Sequence, residues 1–206
     1  MKIKTIPVGF LDENCYIVSL NNGDAVAIDC GDEADKILEY LRGENLTLRK
    51  ILLTHGHFDH INAVARIVEQ TGAEVFIHEA DAPMLTDAKL NLSYSIPEIS
   101  FNPVNKSTTV KNNDIIKQDD LDFSVMHTKG HTQGGVCYIC ENVIFSGDTL
   151  FAGDVGRTDF PGGSYSEIIE SVKKIAALDG DYIVYPGHGP STTLDTERKT
   201  NFYINR

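Results

Sequence analysis

The sequence is poor in positive charge, in cysteine and in long apolar runs, and it has no tryptophan. Its 18 Lys and Arg stand against 30 Asp and Glu, for a formal net charge of -12. A surface of that sign repels phosphate backbones and anionic lipid, so neither nucleic acid nor a membrane is expected as a partner. The four cysteines, Cys15, Cys30, Cys137 and Cys140, are too few and too scattered for a disulfide framework. No apolar run approaches the ~20 residues of a membrane-spanning helix. The opening MKIKTIPVGF lacks the apolar core of a signal peptide, and a cytoplasmic location is expected. There is no internal repeat, no low-complexity tract and no G-x-S-x-G nucleophile elbow.

What remains is ordinary globular material: 206 residues, 41% hydrophobic and 23% charged. That length predicts a single domain over 1–206, able to bury a core without covalent cross-links. The first half alternates strand and helix patterns. Strands are expected at 2–8, 15–20 and 25–30, with Asn22-Gly23 as the turn between the last two. A helix is expected at 35–42, a buried strand at 50–54, a helix at 61–70 stopped by Gly72, a strand at 74–78 and a short helix at 79–87. Residues 88–113 are rich in Asn, Ser, Thr and Pro and read as a surface excursion, either over a functional site or as a plain crossover.

The second half is mostly strands, at 115–117, 121–128, 136–140, 143–146 and 182–185. A helix at 164–178 opens on Ser164-x-x-Glu167, a capping box, and a polar helix begins near 193. Cys137-Tyr-Ile-Cys140 has the spacing of a redox or zinc pair but lies in a strand, where positions three apart face opposite sides, so both thiols are expected to be structural.

The chemistry concentrates in Thr54-His55-Gly56-His57-Phe58-Asp59-His60, which places four metal-capable side chains between an apolar strand and a helix. His55 and His57 are two apart and reach one point from an extended loop. Asp59 and His60 are adjacent and point elsewhere, which suits two neighbouring metal ions. Packing does not explain such a cluster, and histidines gather for metal binding or proton transfer. His131, Asp148 and His188 also follow strand ends, each flanked by glycine. His78 and His127 lie in or at the end of strands and are read as core or supporting residues.

H-x-H-x-D-H, then Gly130-His131-Thr132, then Gly147-Asp148, then Gly187-His188 resembles the metallo-β-lactamase superfamily. The resemblance implies an α+β fold: a four-layer αβ/βα sandwich of two mixed β-sheets with helices on both outer faces. It implies that His55, His57 and His131 hold one metal, that Asp59, His60 and His188 hold a second, and that Asp148 bridges them. A carboxylate at 148, rather than a cysteine, points to the dinuclear hydrolases. The segment Gly156-Arg157-Thr158-Asp159-Phe160 is similar to short hydrolases of glyoxalase II type and to persulfide dioxygenases. Full glyoxalase II has a further C-terminal helical region with basic glutathione contacts, which has no counterpart in this sequence. That leaves Arg157 either to bind a substrate carboxylate in a planar fork or to pair with Asp154 or Asp159 and order its loop.

The expected cofactors are two divalent ions, zinc first, with iron or manganese fitting the same ligands. Their four positive charges exceed the about three negative charges of Asp59, Asp148 and a bridging hydroxide, so the centre stays electrophilic. The expected reaction is attack of that hydroxide, oriented by Asp59, on a small-molecule thioester such as S-lactoylglutathione. Persulfide oxygenation at a single iron, hydrolysis of a lactone or phosphodiester, and metal binding without catalysis are the competing readings.

Overall fold

The computed structural model describes all residues, 1–206. The chain forms two compact units: residues 1–77 with 82–109, and residues 78–81 with 110–206.

The first unit opens with three antiparallel strands, β1 (Lys2–Val8), β2 (Glu13–Ser19) and β3 (Asp24–Ile28). The β2–β3 hairpin turns at Asn22-Gly23 as expected, with the Asn22 side chain accepting from the Asp24 amide at 3.0 Å. Helix α1 (Ala34–Gly43) then crosses to β4 (Thr47–Leu52), which lies parallel to β3. Its apolar positions Ile37, Leu38 and Leu41 fall on one helical face, and all three are buried.

The helix expected at 61–70 is two helices, α2 (Phe58–Ile61) and α3 (Val64–Thr71). The break has a backbone cause. The Cys30 amide donates to the His60 carbonyl at 2.9 Å, and the Ala63 amide donates to the Cys30 carbonyl at 3.1 Å. The His60 carbonyl is therefore already bonded where a continuous helix would use it, and the helix restarts beyond it. Gly72 ends α3 in the left-handed conformation, as its position predicted. Strand β5 (Glu74–His78) runs parallel to β4. The helix expected at 79–87 is a turn followed by a single 3-10 turn, Ala82–Leu85; its Pro83 has no amide to donate to a helical ladder.

The excursion at 88–113 is anchored. Buried Asn91 donates its side-chain amide to the Met84 carbonyl at 2.9 Å, and its own carbonyl accepts from the Phe58 amide at 2.9 Å, at the start of α2. The excursion ends in β6 (Thr108–Val110), the edge of a six-stranded sheet ordered β1-β2-β3-β4-β5-β6. The core of this unit includes Ile17, Ile37, Ile51, Leu53, Ile61, Ile67 and Ile77, all with essentially no exposed surface. Each such side chain contributes about 1.5–3 kcal/mol on burial.

The second unit carries β7 (Ile115–Gln118), β8 (Leu121–His127), β9 (Val136–Cys140) and β10 (Val143–Gly147) as an antiparallel meander. Two short strands, β11 (Leu150–Phe151) and β12 (Asp154–Val155), pair on their own. Helix α4 (Tyr165–Ala176) crosses over to β13 (Ile183–Pro186), parallel to β10, and β14 (Thr192–Thr193) and α5 (Leu194–Thr200) follow. The sheet order is β14-β13-β10-β9-β8-β7. Its parallel β10/β13 pair and antiparallel neighbours make it mixed, like the first sheet. Cys137, Ile144, Val172, Ile175, Val184 and Leu194 form a core here. Ser164 caps α4 by accepting from the Glu167 amide at 3.4 Å, but only half the expected capping box forms. The Glu167 carboxylate turns instead to Lys129 at 2.6 Å and Gln133 at 3.1 Å. No helix is long and apolar enough to cross a membrane.

Candidate metal centre

In the first unit the ligand-type residues follow the C-terminal end of β4. His55 and His57 stand edge to face with ring centroids 4.9 Å apart, and His60 lies 4.1 Å from His55, ring to ring. All three are buried, His60 completely.

The ring orientations of His55 and His60 trace to one carboxylate that the motif does not contain. Asp29, just beyond the end of β3, is 2% exposed. It accepts from the Thr54 amide at 2.7 Å, from the Thr54 hydroxyl at 2.7 Å, and from His60 Nδ1 at 2.9 Å. A carboxylate here only accepts, so His60 Nδ1 carries the proton and Nε2 is the nitrogen with a lone pair. The Thr54 hydroxyl proton points to Asp29, so its oxygen accepts from His55 Nδ1 at 3.2 Å. His55 therefore also presents a basic Nε2. Fixing one ring nitrogen so that the other can coordinate is the usual support of a metal-binding histidine.

Glu13 adds a second buried acid beside this group. It accepts from the Gly31 amide at 3.2 Å and lies 3.9 Å from His60 Nδ1. Burial pushes its carboxyl well above the usual range, against the lowering effect of His60. Glu13, Asp29 and His60 could themselves hold an ion. The Nδ1 of His60 is already given to Asp29, so these carboxylates orient the ring.

The second unit brings its three residues together around Asp148. His131 Nε2 lies 3.6 Å from Asp148 Oδ2, and His188 Nε2 lies 3.8 Å from the same oxygen. In the first unit His60 Nε2 is 3.9 Å from Asp59 Oδ2. Two ligands at ~2.1 Å from a tetrahedral ion sit about 3.4 Å apart, so these spacings suit shared coordination. His131 Nδ1 donates to the Arg157 carbonyl at 2.7 Å, which again leaves Nε2 as the basic nitrogen. Imidazole and carboxylate donors in this proportion fit a divalent transition metal.

Of the two roles the sequence left open for Arg157, the structure contains the contacts of one. Its guanidinium pairs with Asp159 at 2.7 and 2.6 Å and lies 3.9 Å from the Phe160 ring centre. Asp159 is held down at about 2 by that bond. His78 and His127 stack on each other with ring centroids 4.1 Å apart. Cys137 and Cys140 are free and buried, as expected for structural thiols, and burial pushes both up to about 11.

Sequence reasoning missed Asp29, Glu13 and the Arg157 carbonyl. Asp29 could have been found as an acid following a strand of the same parallel set as β4. A main-chain carbonyl leaves no trace in residue type.

The metallo-beta-lactamase superfamily model matches residues 8–188. Hydroxyacylglutathione hydrolase GloC of Haemophilus influenzae is 33% identical, over 100% of this chain and 99% of that protein. Among solved structures, BLEG-1, a B3 metallo-beta-lactamase, superposes with a TM-score of 0.94 at 35% identity over 100% of both chains. TTHA1623, solved in a di-iron-bound form, gives 0.87 at 35% identity over 97% of this chain and 99% of the other. With this fold, and with histidine and carboxylate side chains in the order its motifs require, the chain belongs to the metallo-β-lactamase superfamily.

Proposed function

We propose that the protein is a dinuclear metal-dependent hydrolase of small thioesters, of glyoxalase II type. The observation that carries this reading is the set of imidazoles His55, His60 and His131, each locked with Nδ1 engaged and Nε2 presented beside carboxylates. His55, His57 and His131 would hold one ion, Asp59, His60 and His188 the other, with Asp148 common to both. When bound, such ions supply hydroxide at neutral pH and polarise a carbonyl.

The remaining work falls to the chain's own residues. The Asp59 side chain is 16% exposed, enough to meet a substrate and to accept a hydrogen bond that orients the attacking oxygen. Asp29 and the Arg157 carbonyl keep three imidazoles in one tautomer. A thiolate leaves without needing a proton near neutral pH, so no general acid is required, which separates thioesters from oxygen esters as the favoured substrate. The similarity to a hydroxyacylglutathione hydrolase along the whole chain supports S-lactoylglutathione as the first compound to test. Four free thiols suit a reducing compartment, and we place the enzyme in the cytoplasm.

The test is thiol release from S-lactoylglutathione, with metal content measured on the same sample. Release with about two metals per chain, lost together with metal in His55→Ala and Asp148→Ala, is the expected result. Full activity in either variant sinks the proposal. About one iron per chain, with oxygen uptake on a persulfide, would replace hydrolysis by oxygenation.

A further inference from the structure

His131 sits in the loop joining β8 to β9, residues 128–135, closed at its base by the Thr128 amide donating to the Gly135 carbonyl at 2.8 Å. Helix α4 holds the outer side of this loop through Glu167, bonded to Lys129 and Gln133. The inner side meets a residue remote in sequence. The Asp81 side chain, on a residue 1% exposed, accepts from the Thr132 hydroxyl at 2.7 Å through Oδ2 and from the Gly134 amide at 2.7 Å through Oδ1. These donors follow His131 directly and are 51 and 53 residues from Asp81. The fit is close: a Cβ on Gly134 would lie 2.6 Å from the Asp81 carboxylate, so this approach requires glycine. The segment carrying Asp81 is tied to the loop once more, by way of His127. His78 stacks on His127, and His127 Nε2 donates to the Gln133 carbonyl at 2.9 Å.

We propose that Asp81 is a positioning residue for His131, clamping the 131–134 loop through both carboxylate oxygens so that the imidazole stays on the Arg157 carbonyl with Nε2 presented. This rests on the reading of His131 as a metal ligand. A buried carboxylate taking two short bonds, from the Thr132 hydroxyl and the Gly134 amide, pins the segment immediately after His131. With the loop closed at its base by Thr128 and Gly135, the imidazole at 131 loses freedom to swing. Asparagine can keep the clamp: its oxygen accepts from the Gly134 amide, and its amide donates to a reoriented Thr132 hydroxyl. Alanine cannot.

The experiment is a chelator-competition titration of zinc onto metal-free protein, for the wild type and for Asp81→Ala, Asp81→Asn and Thr132→Val. In Asp81→Ala one of the two binding steps should weaken about ten- to a hundredfold, with the other within about threefold. Asp81→Asn should stay close to wild type in both. Equal affinity in Asp81→Ala overturns the inference, and so does equal weakening of both steps. If Asp81→Ala does not fold, Thr132→Val decides, with the same selective loss at smaller size expected. A wild type that binds no zinc would remove the hydrolase reading instead. In that case the His131 Nδ1–H resonance of the metal-free protein decides. Its loss in Asp81→Ala and retention in Asp81→Asn supports the clamp, and its retention in both overturns it.

Discussion

The Nδ1 of His60 lies 2.9 Å from the Oδ2 of Asp29, and both side chains are buried. Substituting Asp29 should therefore separate orientation from stability. Asp29→Asn presents an amide N–H to His60 Nδ1 and favours the tautomer in which Nε2 carries the proton. Metal affinity should fall about ten- to a hundredfold with little loss of stability. Asp29→Ala leaves three buried donors without their acceptor and should cost at least about 2 kcal/mol in urea unfolding. Metal affinity unchanged in Asp29→Asn would contradict this account.

The stacked pair His78–His127 makes stability depend on pH. Burial first, and the neighbouring His127 second, lower the His78 pKa, with Lys111 acting in the same direction and Glu79 and Asp114 against it. The unfolded imidazole binds its proton near pH ~6.5; the folded one binds it only at lower pH. Between these points the unfolded state holds more protons, so stability falls as pH drops below about 6.5. His78→Gln should show a smaller decrease in melting temperature between pH 7 and pH 5.5 than the wild type. Parallel curves would rule His78 out as a source of the slope.

Ser164 accepts from the Glu167 amide at the start of α4. Ser164→Ala should cost about 1 kcal/mol in chemical denaturation, the usual value of a lost N-cap. Glu167→Gln keeps that cap and weakens only the bond to half-exposed Lys129, and should cost less than about 1 kcal/mol. A larger loss in Glu167→Gln would mean that the bonds of its carboxylate outweigh the cap.

All four thiols are buried, and Cys137 and Cys140 are pushed up to about 11. At pH 8 these two hold on the order of one thiolate per thousand. A chromogenic disulfide reagent should titrate none of the four in native protein and all four after unfolding. One fast native thiol would show that the sheets open locally.

The candidate ligands are legible in the sequence because each is announced locally, by a strand, a glycine and a metal-capable side chain within a few positions. The sheets were legible for the same reason, since alternation and turn residues are local signals. Apart from the helix expected at 79–87, which Pro83 interrupts locally, what escaped comes from contacts across long sequence separations. Asp29 reaches Thr54 and His60 from 25 and 31 residues away. Cys30 splits the helix expected at 61–70 by taking the His60 carbonyl, and nothing between Ile61 and Gln70 announces it. Glu167 has the spacing of a capping box, but Lys129 and Gln133 draw its carboxylate away.

The two halves of the ligand set differ in how they can be inherited. His60 is oriented by the side chain of Asp29, which a single substitution can erase. His131 is oriented by the carbonyl of Arg157, which every amino acid supplies. Position 157 can therefore drift in residue type while continuing to hold the imidazole, provided the backbone keeps its path. An alanine scan would report only on the guanidinium and its pairing with Asp159; a change to the peptide unit itself, such as an ester linkage after residue 157 that weakens the acceptor, would expose what the carbonyl does.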